Sequence, residues 1–152
     1  MKEPSPFVVR AADWVADGPA LRAIRTEVFV EEQQVPAELE WDADDERARH
    51  VLVLTADGSP VGTGRLLPDG RIGRMAVLRP WRGKGAGAKL LTELLRIAQT
   101  TGLDNLALHA QIHAVGFYAR FGFQPQGETF LEAGIPHRAM RRRLAQGSAR
   151  LG

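Results

Sequence analysis

The sequence predicts a single α/β (α+β) domain spanning residues 1–152: a mixed sheet with helices on its faces. Three observations carry this. The 152 residues are the size of one ordinary domain, and 44% are hydrophobic, enough for one core. Three apolar runs of strand length, 50–55, 61–67 and 72–78, follow one another across the turn sequences Asp57-Gly58-Ser59-Pro60 and Pro68-Asp69-Gly70. Apolar residues at helical spacing recur in two other places, at 21–28 and 90–98.

Taken in order, Phe7-Val8-Val9-Arg10 reads as a short first strand. Asp17-Gly18-Pro19 offers a cap and a first-turn proline, and Leu21, Ile24 and Val28 carry a helix to about Phe29. The acidic stretch from Glu31 to Arg49 reads as a helix end and a loop. The three apolar runs then form an antiparallel meander, ended by Pro80, which has no amide for a ladder. Leu90, Leu91, Leu94, Leu95 and Ala98 line one wide face of a helix that Gly102 closes. Leu106–Leu108 is a strand, Ala114–Phe121 a short helix stopped by Gly122, and Phe130–Leu131 and 137–144 two last strands. Arg141-Arg142-Arg143, alternating on the final strand, reads as edge protection or surface. The ends, 1–6 and 146–152, read as frayed.

Composition narrows the class. There are no cysteines, which removes disulfides, thiolate metal sites and cysteine nucleophiles, and fits a reducing cytoplasm. No run approaches the ~20 apolar residues of a membrane span. The first six residues lack the apolar segment of a secretory signal. Cytoplasmic localisation and no membrane partner are expected. Net charge is +2, but it is unevenly laid out. Nine acidic residues and no Lys or Arg lie between Glu27 and Glu46; five basic and no acidic residues lie between Arg71 and Lys84. Local rather than overall positive charge argues for a small anionic ligand over nucleic acid.

The basic block runs into Arg82-Gly83-Lys84-Gly85-Ala86-Gly87, at the start of the second long helix. A phosphate-binding loop of the Gly-x-x-x-x-Gly-Lys-Ser/Thr kind is excluded, because Gly85 follows Lys84 and no glycine stands five positions before it. A dinucleotide site fits Gly83, Gly85 and Ala88 on paper. It lacks an acidic residue at the end of the next strand, and its preceding strands are antiparallel. What remains is an anion cradle: glycines curl successive amides into one concavity, a helix start adds partial positive charge, and Arg82 and Lys84 add whole charges.

This stretch resembles the acyl-CoA loop of the GCN5-related N-acetyltransferases, whose pattern is Arg/Gln-x-x-Gly-x-Gly/Ala. Downstream, Gln111 through Phe123 is similar to the family's second half, with Gln111 where an asparagine is common. Val28–Pro36, then Glu40-x-Asp42-x-x-Asp45, then Phe130–His137 resemble the small ElaA-like (YjcF-like) acetyltransferases. The resemblance covers most of the chain. It implies a sheet splayed between its fourth and fifth strands, acetyl-CoA as cosubstrate, no metal, and a primary amine as acceptor. The cosubstrate would lie against Met75, Ala76, Val77, Arg82, Gly83, Lys84, Gly85, Ala86, Gly87 and Gln111. A bulge near Met75–Val77 would free backbone groups for the pantetheine arm, and the Val77 amide would face the developing oxyanion.

Tyr118 stands where the family carries its general acid. Glu132 and His137, inside the subgroup's motif, are the candidates for accepting the amine proton; His50 and His109 are weaker ones. Asp42, Asp45 and Arg65 read either as acceptor-pocket groups or as a structural ion cluster, and Trp41 as packing. Arg25, Phe29, Asp42, Asp45 and Arg65 also fall where the acyl-homoserine-lactone synthases carry pocket residues, although those synthases lack so regular a loop. The nine carboxylates suggest a cationic small-molecule or peptide amine. An acyl-CoA-binding regulatory module, a lactone-synthase-like acyltransferase and a homodimer joined through the C-terminal strands stay open.

Overall fold

The structure, a computed structural model, describes residues 6–144; the expected frayed ends lie outside them apart from Pro6. Seven strands form one sheet in the order β1-β2-β3-β4-β5-β7-β6. They are β1 (Phe7–Ala12), β2 (Arg49–Thr55), β3 (Pro60–Leu66), β4 (Arg71–Val77), β5 (Asn105–Gln111), β6 (Gln124–Glu132) and β7 (Ile135–Arg143). Every neighbouring pair is antiparallel except β4 and β5. The helices are α1 (Gly18–Arg25), α2 (Ala37–Glu40), α3 (Ala86–Thr100) and α4 (Val115–Arg120). No helix among the described residues is long and apolar enough to cross a membrane.

Alternation along β2 explains the layers. Val51 and Val53 turn to one face, where Leu90, Leu91 and Leu94 of α3 and Phe123 complete the larger core. Leu52 turns to the other, where Leu21, Ile24 and Val28 pack against it with Ala76. Each fully buried Leu contributes about 1.5–3 kcal/mol. Gly102, at φ +80°, ends α3 as expected: its amide donates to Gln99 O (3.2 Å) and that of Leu103 to Ala98 O (3.0 Å).

Four features differ from the sequence reading. Asp17 does not cap α1; its carboxylate holds Arg10 (2.9 Å) and the Asp13 amide (2.8 Å). The first helix does not stop at Phe29 but runs on as a π-helical turn, Thr26–Glu32, and the acidic loop contains α2 and a 3₁₀ turn at Ala43–Glu46. β6 is nine residues long, not two; it is an edge strand exposed on both faces, so it shows no alternation to read. Arg141–Arg143 does not guard an edge, because β7 lies between β5 and β6.

Candidate active site

β4 and β5 pair in register only at Arg71↔Ala107 and Ile72↔Leu108, then diverge. The expected splay is therefore present. The bulge lies one step earlier than expected: Arg74 and Met75 together face Gly64, and Arg74 sits at φ +51°. A Cβ at Gly64 would stand 2.6 Å from Met75 Sδ, so any larger residue there would displace that side chain. Beyond the bulge, Leu78 N donates to Val61 O (2.8 Å), and hydrogen-bonded pairs alternate along an antiparallel ladder. Gly62↔Val77 is thus a non-hydrogen-bonded pair, and the Val77 amide points away from β3 into the splay.

A cleft of about 980 Å³ follows this divergence and is lined by Val77, Arg82, Gln111, Tyr118, Glu132 and His137, among others. Arg82, among these lining residues, opens the glycine loop. Gly83 and Gly85 adopt φ +74° and +93°, in the left-handed region that glycine occupies without strain. The first bond of α3 runs from Lys89 N to Gly85 O (3.1 Å), so the helix itself leaves the amides of Ala86, Gly87 and Ala88 unclaimed. No atom lies within 4 Å of where a Cβ on Gly83 or Gly85 would be, whereas one on Gly87 would meet the Phe117 ring at 3.5 Å. Open backbone, free amides and a helix start fit a diphosphate.

Arg82 is deployed differently from the sequence reading. Its Nε donates to Val77 O (2.8 Å) and its two terminal nitrogens to Glu32 (2.6 and 2.7 Å); Arg79 reaches the same carboxylate at 3.3 Å. The paired Arg82 holds Glu32 below the usual carboxylate range, and Glu32 in turn raises Arg82. Arg82 thus ties the loop to β4 and to the π-helical turn. Lys84, resting over the Trp81 ring at 5.6 Å and in no ion pair among the described residues, is the loop's available cation. Gln111 is also engaged, donating to Gln33 Oε1 (2.9 Å).

Tyr118 projects from α4 into the same cleft, 8% exposed, with the rings of Phe117 and Phe123 edge-on at 5.1 and 6.1 Å. Burial pushes its phenol up to about 12, so it stays protonated at any physiological pH.

The far wall is built by β5, β6 and β7. His137 pairs with Gln111 across β5 and β7 and with Phe130 across β6 and β7. His137 Nδ1 lies 2.6 Å from Ile135 O, which can only accept, so Nδ1 carries the proton and a neutral ring presents a bare Nε2. Glu132 stands between two histidines: Oε1 is 2.8 Å from His109 Nδ1 and Oε2 is 3.8 Å from His137 Nε2. Glu132 and His137, chosen from sequence, are therefore neighbours, and His109 joins them. His50 does not. It is buried under Trp14, bonded to Asp45 O (2.9 Å), and burial lowers its pKa.

Glu40, Asp42, Arg65 and Arg74, which also line this cleft, belong to a cross-paired ion network. Arg25, 1% exposed, holds Glu40 (2.7 Å) and Asp45 (2.8 Å); Arg65 holds Asp45 (2.7 Å) and Asp42 (2.9 Å); Arg74 holds Asp42 (3.1 Å) and Glu40 (3.2 Å). Trp41 lies under the Arg25 guanidinium at 4.8 Å and so packs. Burial raises Glu40 more than its arginines lower it; at Asp45 burial also pushes up, but Arg25 and Arg65 outweigh it. Arg47 and Arg71 pair with Asp44. Five of the nine acidic side chains, Glu32, Glu40, Asp42, Asp44 and Asp45, are thus held by arginines.

Sequence reasoning missed the roles of Glu32, Gln33, Glu40 and Arg74. A signal for the network existed: Arg25 stands four residues after Leu21 and three before Val28, on the stripe that α1 buries, and a buried cation requires carboxylates. Nothing in the pattern marks Arg74 as left-handed.

Loop, splayed strands and buried tyrosine together describe an acyl-CoA-dependent acyl transferase. A family model described as an acetyltransferase (GNAT) domain matches residues 12–144, and the chain belongs to that family. It is 40% identical over 121 residues to the Bacillus subtilis (strain 168) protein YjcF, named an uncharacterized N-acetyltransferase, with 77% of this chain and 86% of that one covered. Its fold is similar to Escherichia coli ElaA (TM-score 0.79, 32% identity, 89% of this chain and 99% of that one). It is also similar to an acyl-CoA N-acyltransferase from Pseudomonas aeruginosa (TM-score 0.77, 32% identity, with the same coverage). The chain is therefore an acyltransferase whose cosubstrate is an acyl-CoA. Among the described residues no cluster of His, Asp or Glu has the arrangement of a metal site.

Proposed function

We propose that the protein transfers an acetyl group from acetyl-CoA to the primary amine of a small-molecule or peptide acceptor, by direct attack within the cleft. The observation that carries this is one cavity lined by Arg82, the residue that opens the glycine loop, and by Val77, Tyr118, Glu132 and His137. Bound acetyl-CoA supplies a thioester: an electrophilic carbonyl and a thiolate leaving group. The amides of Gly83–Gly87 and Lys84 grip the diphosphate. The unpaired edge of β4, Met75 to Val77, takes the pantetheine arm as an added strand. Gln111 serves it once released from Gln33.

The Val77 amide donates to the carbonyl oxygen as negative charge develops there. A free amine titrates near ~10, so at neutral pH its ammonium form must first lose a proton. His137 Nε2 and Glu132 receive that proton. Tyr118, held neutral by burial, returns one to the departing thiolate.

The acceptor is read as cationic on narrower grounds than the nine carboxylates suggested, since arginines hold five of them. Glu132, half exposed at the cleft, is the carboxylate that meets the incoming ammonium. Calorimetry with acetyl-CoA, followed by thiol release across a panel of cationic and neutral amines, tests the reading. Saturable binding and turnover that falls with salt for cationic amines alone are expected. Folded protein that takes up no acetyl-CoA would end it.

A further inference from the structure

Glu132 is held on one side by a residue to which the reaction as described gives no task. His109 lies on β5, two residues before Gln111, so both side chains emerge on the same face of the strand. Its Nδ1 is 2.8 Å from Glu132 Oε1. Phe130 fixes the geometry from both directions: its ring meets His109 edge-on at 4.9 Å and lies nearly parallel to His137, 24° at 6.1 Å. With Oε1 occupied, Oε2 turns toward His137 Nε2 at 3.8 Å. Glu132 itself is half exposed, at the end of an edge strand.

We propose that His109 is a positioning residue for proton removal. It donates its Nδ1–H to Glu132 Oε1 and so keeps Oε2 directed at His137. This rests on the reading that His137 and Glu132 deprotonate the acceptor. The step balances without any further reactant. The N–H bond of the ammonium breaks, and its proton goes to His137 Nε2 while the electron pair stays on the amine. The imidazolium then passes that proton to Glu132 Oε2, and the carboxylic acid releases it to water at the exposed rim. His109 neither gains nor loses a proton; its contribution is to hold the middle group. Without it, a half-exposed carboxylate divides its time among rotamers, and the ~3.8 Å approach to His137 is made only part of the time.

The variants to compare are His109→Ala, which removes the donor, and His109→Asn, whose amide nitrogen occupies the place of Nδ1. Imidazole ¹H–¹⁵N spectra of the free full-length protein report the tautomer and protonation of His137 without any acceptor. The Nδ1–H tautomer is expected in the wild type. The His137 ring resonances should change in His109→Ala much as they do in Glu132→Gln, and return toward the wild-type positions in His109→Asn.

Acetyl transfer from acetyl-CoA to benzylamine, which is protonated at neutral pH, is then compared with transfer to hydroxylamine, which is not. His109→Ala should lower kcat with benzylamine about tenfold and leave hydroxylamine turnover and the KM for acetyl-CoA within about twofold. His109→Asn should recover most of the loss. Unchanged His137 ring resonances in His109→Ala overturn the proposal, as does an equal loss with both nucleophiles or a failure of His109→Asn to rescue. Absence of turnover in the wild type, with the spectroscopic coupling intact, would overturn the acetyltransferase reading and the catalytic part of this proposal, and leave only the positional coupling of His109, Glu132 and His137.

Discussion

The glycine loop and the ion network along the cleft handle charge in opposite ways. The loop presents partial charges on backbone amides, with open space where a Cβ on Gly83 or Gly85 would stand, and Lys84 in no ion pair among the described residues. The network consists of whole charges on side chains, each arginine held by at least two carboxylates, with Arg25 and Asp45 each 1% exposed. Groups that meet a ligand are left unsatisfied by the protein, whereas groups that hold a wall in place are satisfied several times over. Glu32 belongs to neither arrangement. It reaches from the acidic segment to the loop and occupies Arg82, a cation that would otherwise face the ligand.

The sharpest way to break this comparison is to remove a cation from each side. Arg25→Met leaves buried Asp45 and Glu40 short of a partner and is expected to cost about 3–5 kcal/mol, lowering the melting temperature by roughly 10 °C in a thermal scan. Lys84→Met should change stability by less than about 0.5 kcal/mol while weakening acetyl-CoA in calorimetry. A Lys84→Met protein as unstable as Arg25→Met would show that the loop is also structural.

Tyr118→Phe is expected to lower the chemical rate about a hundredfold with acetyl-CoA affinity unchanged within twofold, measured by thiol release and calorimetry. Gly85→Ala forces a Cβ into φ +93°. It should cost about 1–2 kcal/mol of stability and about tenfold in acetyl-CoA affinity, through amides turned out of the concavity. Glu32→Gln releases Arg82 and should tighten acetyl-CoA two- to fivefold at low salt, the scale of an exposed ion pair, with the gain fading as salt rises. A last effect, confined to high pH, is in alkaline unfolding. Burial raises the Tyr118 phenol to about 12, so between about pH 10 and 12 the unfolded chain ionises it while the folded chain does not, and stability falls across that window. Tyr118→Phe should flatten that fall in alkaline denaturant titrations.

Much of the donor side was legible in sequence because backbone chemistry leaves residue-type signatures. Glycine is required at φ +74° and +93°, and a helix start must follow. The meander and its two layers were legible too, since β2 to β4 are bounded by Asp-Gly turns and packed on both faces. The acceptor side was less so. Glu132 and His137 were found through a resemblance, and nothing in spacing told that His109, 23 residues before Glu132, would bond to it. Long-range side-chain pairing leaves no periodicity. The same reason hid Glu32 from Arg82, 50 positions away. It also made the acidic segment look like a free negative field when arginines from α1, β3 and β4 neutralise much of it.

The join between β4 and β5 has a consequence for how the molecule is made. Only two residue pairs stitch a four-stranded half, complete by residue 77, to a three-stranded half that begins at residue 105. A chain emerging from the ribosome holds every strand of the first half before any strand of the second has been synthesised. The gap proposed to admit the cosubstrate is thus also the suture between an early-born and a late-born piece of the sheet.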